Sequence, residues 1–121
     1  MIQNLSMLNV IDNSGAKLVQ CIKVLNRKNY GTLGDIILVS VRKSNFNKKV
    51  KKGMVYKALI VQLKKKIQRF DGISVSFNKN AVVLLSNTFV PIGSRILEPV
   101  SLELNTTKRF LKVLTLAPLI V

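Results

Sequence analysis

Residues 53–87 read GMVYKALIVQLKKKIQRFDGISVSFNKNAVVLLSN, and two runs inside this stretch decide the fold class. MVYKALIVQL, residues 54–63, is the most strand-like run of the chain, and it ends abruptly at Lys64, Lys65 and Lys66. AVVLL, residues 81–85, is short and continuously apolar, the pattern of a strand buried on both faces. Between them Asp71-Gly72 is a tight-turn dipeptide joining QRF to ISVSF, which alternates with period two.

Working outward, SMLNVI (6–11) stops at Asp12-Asn13-Ser14-Gly15, four turn formers in succession, and KLVQCIKVL (17–25) follows as a strand, so the two predict a first hairpin. Residues 26–35, NRKNYGTLGD, carry two glycines and no periodicity and read as a loop, after which IILVSV resumes as an apolar strand. Gly53 marks a further reversal. Past Pro91 and Pro99 no long regular element fits, although Ser101 suits a short turn and Thr106 or Thr107 can cap a helix through KRFLKVLTLA that stops before Pro118. Phe110, Val113, Leu114 and Ala117 would share one face of it. Short strands at close spacing with glycine turns predict a mainly β protein, a small barrel that removes its edge strands by closing, followed by a partly helical tail.

The totals narrow the function. The chain has 121 residues, enough for one domain (1–121) with a real core, and it combines 48% hydrophobic residues with 20 Lys and Arg against 5 Asp and Glu, a formal charge of +15. A disordered basic tail would be poor in Val, Ile and Leu. A folded domain so unbalanced repels itself unless an anion lies against it, and the commonest such partner is a nucleic-acid backbone. A membrane span would need roughly 18 or more consecutive apolar residues, which no run supplies. The N-terminus MIQNLSMLNV shows neither a secretory nor a transit pattern, so the expectation is a protein made where it works or one that has lost its targeting segment.

Enzymatic chemistry finds little to work with. The chain has no histidine, hence neither the commonest general base nor the commonest transition-metal ligand, and no Gly-x4-Gly-Lys-Ser/Thr loop. Asp12, Asp35 and Asp71 each stand beside a turn residue, where a short acceptor ties down loop backbone, and Glu98 and Glu103 lie where tail cations can pair with them. Cys21, the one cysteine, sits in the apolar run VQCIKV and reads as a buried inert thiol. We expect no enzyme, no metal and no cofactor.

The cations are not scattered. Arg27 and Lys28 precede Tyr30 in a glycine loop; Arg42, Lys43, Lys48, Lys49, Lys51 and Lys52 surround Phe46; and Lys64, Lys65, Lys66 and Arg69 precede Phe70. Cations close to aromatics suit phosphate neutralisation with stacking on exposed bases, the way folded RNA is held.

Within residues 53–87, an Ala and three aliphatics, a nine-residue basic spacer, Asp-Gly, four residues, Phe, two residues, Asn, two residues and Val-Leu resemble the signature of the universal large-subunit ribosomal protein family numbered fourteen. MLNVIDNSGAKLVQCIKVL, YGTLGDII, KVKKG, PIGSRILEPV and LTLAP resemble further blocks of that family, in order, along essentially the whole chain. The resemblance, to its bacterial or organellar branch, implies a five-stranded β-barrel with a projecting basic β-ribbon and a C-terminal region of two short helices. It implies a non-enzymatic constituent of the large ribosomal subunit bound to its rRNA and to neighbouring ribosomal proteins. One face would meet small-subunit rRNA across the subunit interface, where a ribosome-silencing factor docks. By motif, Ser94 and Arg95 of GSRI and Arg109 of KRF would lie on that face, Ser and Arg standing where Thr and Lys are usual.

Three departures stand out. The ribbon RKSNFNKKVKKG lacks the family's frequent proline and glutamate, Gln62 and Gln68 stand where a cation is common, and Leu119 replaces the acidic residue usual after Ala-Pro. Abundant Lys, Asn and Ile suggest A/T-biased coding, which favours a ribosomal protein encoded and made in a mitochondrion, with an A/T-rich bacterium as the alternative. A free-standing single-strand-binding barrel is the competing function; it would display aromatics on a strand face, whereas 7 residues here are Phe or Tyr and several fall in loops. A basic membrane-surface protein would need a long amphipathic helix that the pattern does not contain.

Overall fold

The computed structural model describes residues 2–25, 29–45, 50–102, 104 and 111–121. In chain order the elements are β1 (Met7–Val10), β2 (Ala16–Val24), β3 (Ile36–Ser44), β4 (Val55–Gln62), β5 (Ile67–Gln68), β6 (Ser74–Val75), β7 (Ala81–Leu85) and α1 (Leu111–Leu116). Five of the strands close a barrel in the order β1-β2-β3-β4-β7, and β5 and β6 form a separate two-stranded sheet. The protein is thus mainly β, with a closed five-stranded barrel and one short helix among the described residues.

Strands β1 to β4 are a meander, each antiparallel to the one before. The next chain neighbours do not continue it. ISVSF has polar residues at alternate positions and can cover one face only, so it contributes just two residues to a hairpin whose tight turn places Gly72 at φ 84° and Asp71 Oδ1 as acceptor for the Ile73 N–H. AVVLL takes the place beside β4, Ala58 pairing with Leu84 and Ile60 with Val82, and closes the barrel on β1 through the parallel pairs Asn9 with Ala81 and Val10 with Val82.

Two apolar clusters lie on either side of the β4–β7 pair. Inside the barrel Leu8, Val19, Cys21, Ile37, Val39, Ala58, Ile60, Val82 and Leu84 pack together. Cys21 is fully buried and its surroundings raise its pKa by desolvation, so it is the inert thiol expected. On the outer side of the same two strands Leu59, Val61, Ala81, Val83 and Leu85 are buried beneath Ile96, Val100, Leu104, Val113 and Leu114 of the C-terminal region. The tail is fastened there by polar bonds: buried Gln62 donates from Nε2 to the Pro99 carbonyl at 2.6 Å, and the Ser101 N–H donates to the Val61 carbonyl. Gln62, where the resemblance expects a cation, is thus a structural residue.

The expected helix is present as the single described turn and a half of α1, with Val113 and Leu114 buried and Ala117 packed against the same cluster. Its expected caps Thr106 and Thr107, and Phe110, lie outside the described residues. The basic stretch is tied to the barrel at both of its described ends. β3 stays paired with β2 as far as Ala16 with Ser44, so Arg42 and Lys43 are still in the barrel, and Val50 is buried in its interior cluster.

If the outer face of β4 were solvated, truncating Leu59 would cost under about 0.5 kcal/mol; because the tail buries it, Leu59→Ala is expected to lose about 2–5 kcal/mol, measured by urea denaturation.

Candidate nucleic-acid interface

Strand directions sort the loops. β1, β3 and β7 finish at one end of the barrel, the upper end, which therefore gathers residues 11–15, 45, 50–54 and 86–95. β2 and β4 finish at the lower end, with residues 25, 29–35 and the loops after 62. The described members of the three basic-aromatic clusters of the sequence fall into two groups, one at each end.

At the upper end Arg42, Lys43, Lys51 and Lys52 are all exposed. Arg42 is held against the strand surface: its Nε donates to Gln20 Oε1 at 2.9 Å, its Nη2 donates to the same oxygen, and Gln20 Nε2 donates onward to the Leu5 carbonyl. A guanidinium held this way keeps its outward donors in a fixed plane, which suits a phosphate. Lys48, Lys49 and Phe46 lie outside the described residues.

The Asp12–Gly15 turn connects this basic stretch to the segment around Ser94. On one side the Gly15 carbonyl accepts from the Asn45 N–H at 2.6 Å. On the other Asn13 Nδ2 donates to Ser94 Oγ at 2.8 Å, Asn13 Oδ1 accepts from the Arg95 N–H at 3.0 Å, and the Asn13 N–H donates to the Arg95 carbonyl. Ser94 and Arg95 are exposed, so the turn presents them at the same end as the strand cations. Arg109, the third residue of that expected face, lies outside the described residues.

Asp12 holds the turn itself. Oδ1 accepts from the Ser14 N–H and Oγ, and Oδ2 accepts from the Leu84 N–H of β7 at 3.1 Å. Burial raises its pKa by desolvation, and those hydrogen bonds pull the other way. Asp35 accepts from the Thr32 N–H and Oγ1 in the same fashion, so Asp12, Asp35 and Asp71 all serve as turn ties. Glu98 pairs with Lys79 of the segment before β7, and Glu103 lies outside the described residues. No group of three His, Cys, Asp or Glu among the described residues is placed to hold a metal ion.

At the lower end Tyr30 faces Lys65 and Lys66 across a groove, with Lys64 exposed beside them. Arg27 and Lys28 lie outside the described residues. Arg69 is engaged instead with the C-terminal region, donating from Nη2 to the Val121 carbonyl at 2.6 Å, and Phe70 stands fully exposed at the hairpin tip.

Two upper and lower cations escape a reading from clustering alone. Lys17 falls in a β-bulge between the pairs Ala16 with Ser44 and Leu18 with Lys43, and it emerges exposed beside Lys43. Lys23 is exposed next to a further break in register lower in β2, between Cys21 and Lys23. Each looks like a lone strand lysine, and only the break in two-residue alternation hints at it. Lys57 is occupied elsewhere, its Nζ 4.5 Å from the centre of the Phe89 ring.

A protein-family model described as Ribosomal protein L14p/L23e matches residues 1–121, which takes in both ends of the barrel and the turn that organises the upper one. In that turn Asp12→Asn keeps one acceptor oxygen and sets its amide NH2 against either the Ser14 or the Leu84 N–H, and the variant is expected to lose about 1–3 kcal/mol in urea denaturation. Because burial raises the native pKa of Asp12, the native state binds its proton more tightly than the unfolded chain; the contribution to stability is full below the unfolded value and declines as pH rises through the native one. The gap between wild type and Asp12→Asn is therefore wider at about pH 4 than at pH 7, and a gap that widens towards pH 7 would contradict this account.

Proposed function

The chain belongs to the ribosomal protein L14p/L23e family, a structural and non-enzymatic family of the large ribosomal subunit, and we propose on that premise that it anchors itself in large-subunit rRNA by the two basic ends of its barrel. The observation that carries the reading is the separation of charge from core: the exposed cations Arg42, Lys43, Lys51 and Lys52 gather at one end and Lys64, Lys65 and Lys66 at the other, while the three aspartates are consumed in turns. Phosphate needs cations without competing carboxylates, and each such contact releases counterions.

Residues 1–121 act as one domain in this reading, because the β4–β7 pair supplies a wall to both apolar clusters. Arg27, Lys28, Lys48, Lys49 and Arg69 belong to the proposed rRNA-binding set with the exposed cations and Tyr30. Ser94, Arg95 and Arg109 form the proposed subunit-interface face, where small-subunit rRNA or a ribosome-silencing factor would dock; the fixed presentation of Ser94 and Arg95 by Asn13 supports it. Exposed Leu119 of the C-terminal segment would pack on a neighbouring large-subunit protein. The A/T-biased composition supports a mitochondrial ribosome, with a bacterial one as the alternative. Among the described residues no helix is long and apolar enough to cross a membrane.

Stable co-sedimentation with large subunits through a high-salt wash tests the assignment, and protein recovered free while binding any single strand would favour a free-standing barrel. Neutralising Lys48, Lys49, Lys51 and Lys52 together is expected to weaken rRNA binding and to flatten the slope of log affinity against log salt by roughly 3; an unchanged slope would remove the basic stretch from the interface. Leu119→Glu is expected to lower incorporation into subunits, read as the labelled protein's share of the large-subunit peak.

A further inference from the structure

The groove at the lower end has features that general phosphate binding does not require. It is an open groove of about 440 Å³ between two loops far apart in sequence, a volume within the usual range of small-ligand sites. Tyr30 and Leu33 line it from one loop, Leu63 and Ile67 from the other, and Lys65 and Lys66 stand on its rim. An aromatic, an aliphatic lining and paired cations match the two halves of a nucleotide, a flat apolar base and an anionic phosphate.

Both walls are set before anything binds. Next to Tyr30, Gly31 exchanges two backbone hydrogen bonds with Ile2, at 2.9 and 2.7 Å, and a Cβ at Gly31 would meet Ile60 Cδ1 at 2.8 Å, so the loop lies tight on the barrel floor. Thr32 is tied to Asp35 by its N–H and hydroxyl. In the opposite wall the Lys64 N–H donates to Asn80 Oδ1 at 2.9 Å, and the Leu63 carbonyl accepts from the Phe77 N–H at 3.0 Å. A preformed concavity saves the ordering cost that an adaptable loop would incur on binding.

We propose that this groove receives one unpaired RNA nucleotide, its base against Tyr30 and the aliphatic lining and its phosphate between Lys65 and Lys66. The proposal rests on the rRNA-binding reading and refines it: a stacked duplex base has no free face to offer, so the lower end selects a bulged or looped nucleotide. An acidic protein segment is the less suitable occupant, since Lys65 and Lys66 would serve either anion but the lining of Tyr30, Leu33, Leu63 and Ile67 suits a flat base.

Fluorescence anisotropy of the full chain with a uridine-rich single strand of about 12 nucleotides, a duplex RNA of equal length, and a glutamate-rich peptide containing Phe separates the cases. Tyr30→Ala is expected to weaken single-strand binding roughly 5- to 150-fold, the loss of one base-stacking contact, with duplex binding kept as the control for folding and Tyr30→Phe restoring the single-strand affinity. With 5-iodouridine in the strand, the photocrosslink is expected in the peptide bearing Tyr30. Undiminished single-strand binding by Tyr30→Ala, or a crosslink confined to other segments, would overturn the nucleotide site while leaving RNA binding intact. Wild-type protein that binds neither RNA would overturn the rRNA-binding reading itself, and Tyr30-dependent capture of the peptide without the single strand would replace the nucleotide by a protein partner.

Discussion

The pairing of β4 with β7 is the constraint on which the rest of the molecule depends, because it is dry on both sides. Its inward residues complete the barrel core, its outward residues lie beneath the C-terminal region, and its backbone ladder provides the antiparallel neighbour that lets β7 reach β1 and close the ring. A strand with two buried faces reads as a near-continuous apolar run, and a polar residue within it, such as Gln62, needs a partner. That requirement excludes ISVSF from the barrel and admits AVVLL, although ISVSF comes first along the chain.

Closure leaves work for a small number of polar groups. Asp12 is buried at the seam between β1 and β7 and spends its two oxygens on its own turn and on the Leu84 N–H. Through Asn13 the same turn fixes Ser94 and Arg95, and through the Gly15 carbonyl it holds Asn45. One buried carboxylate therefore connects barrel closure to the arrangement of the upper end. Its desolvation is tolerable because each bond it accepts comes from a group that also needs a partner.

The coexistence of an apolar composition and a charge of +15 follows from geometry. A closed barrel puts alternate side chains inside and sends the loops to its two ends, so cations placed in loops never meet the core. Like charges spread over two ends also repel one another less than they would in one patch, and polyanionic RNA supplies the compensation. Of the cations that do occur in strands, Arg42 and Lys43 are exposed near the end of β3, and irregularities in β2 turn Lys17 and Lys23 outward.

The mainly β class, the barrel, the first hairpin, the Asp71-Gly72 turn, the burial of AVVLL on both faces and the tying role of Asp12, Asp35 and Asp71 were all legible in the residues, because each is a local matter of alternation, turn chemistry or apolar run length. The segregation of three basic clusters into two ends, the meeting of Tyr30 with Lys65 and Lys66, the structural use of Gln62 and the burial of Val50 within the basic stretch were not. Those depend on which strand ends share a pole of the barrel and on where the tail lies, and both are settled by long-range pairing. Local sequence determines what a segment can become; only the closed ring, by bringing distant loops to a common end, decided which of them would act together.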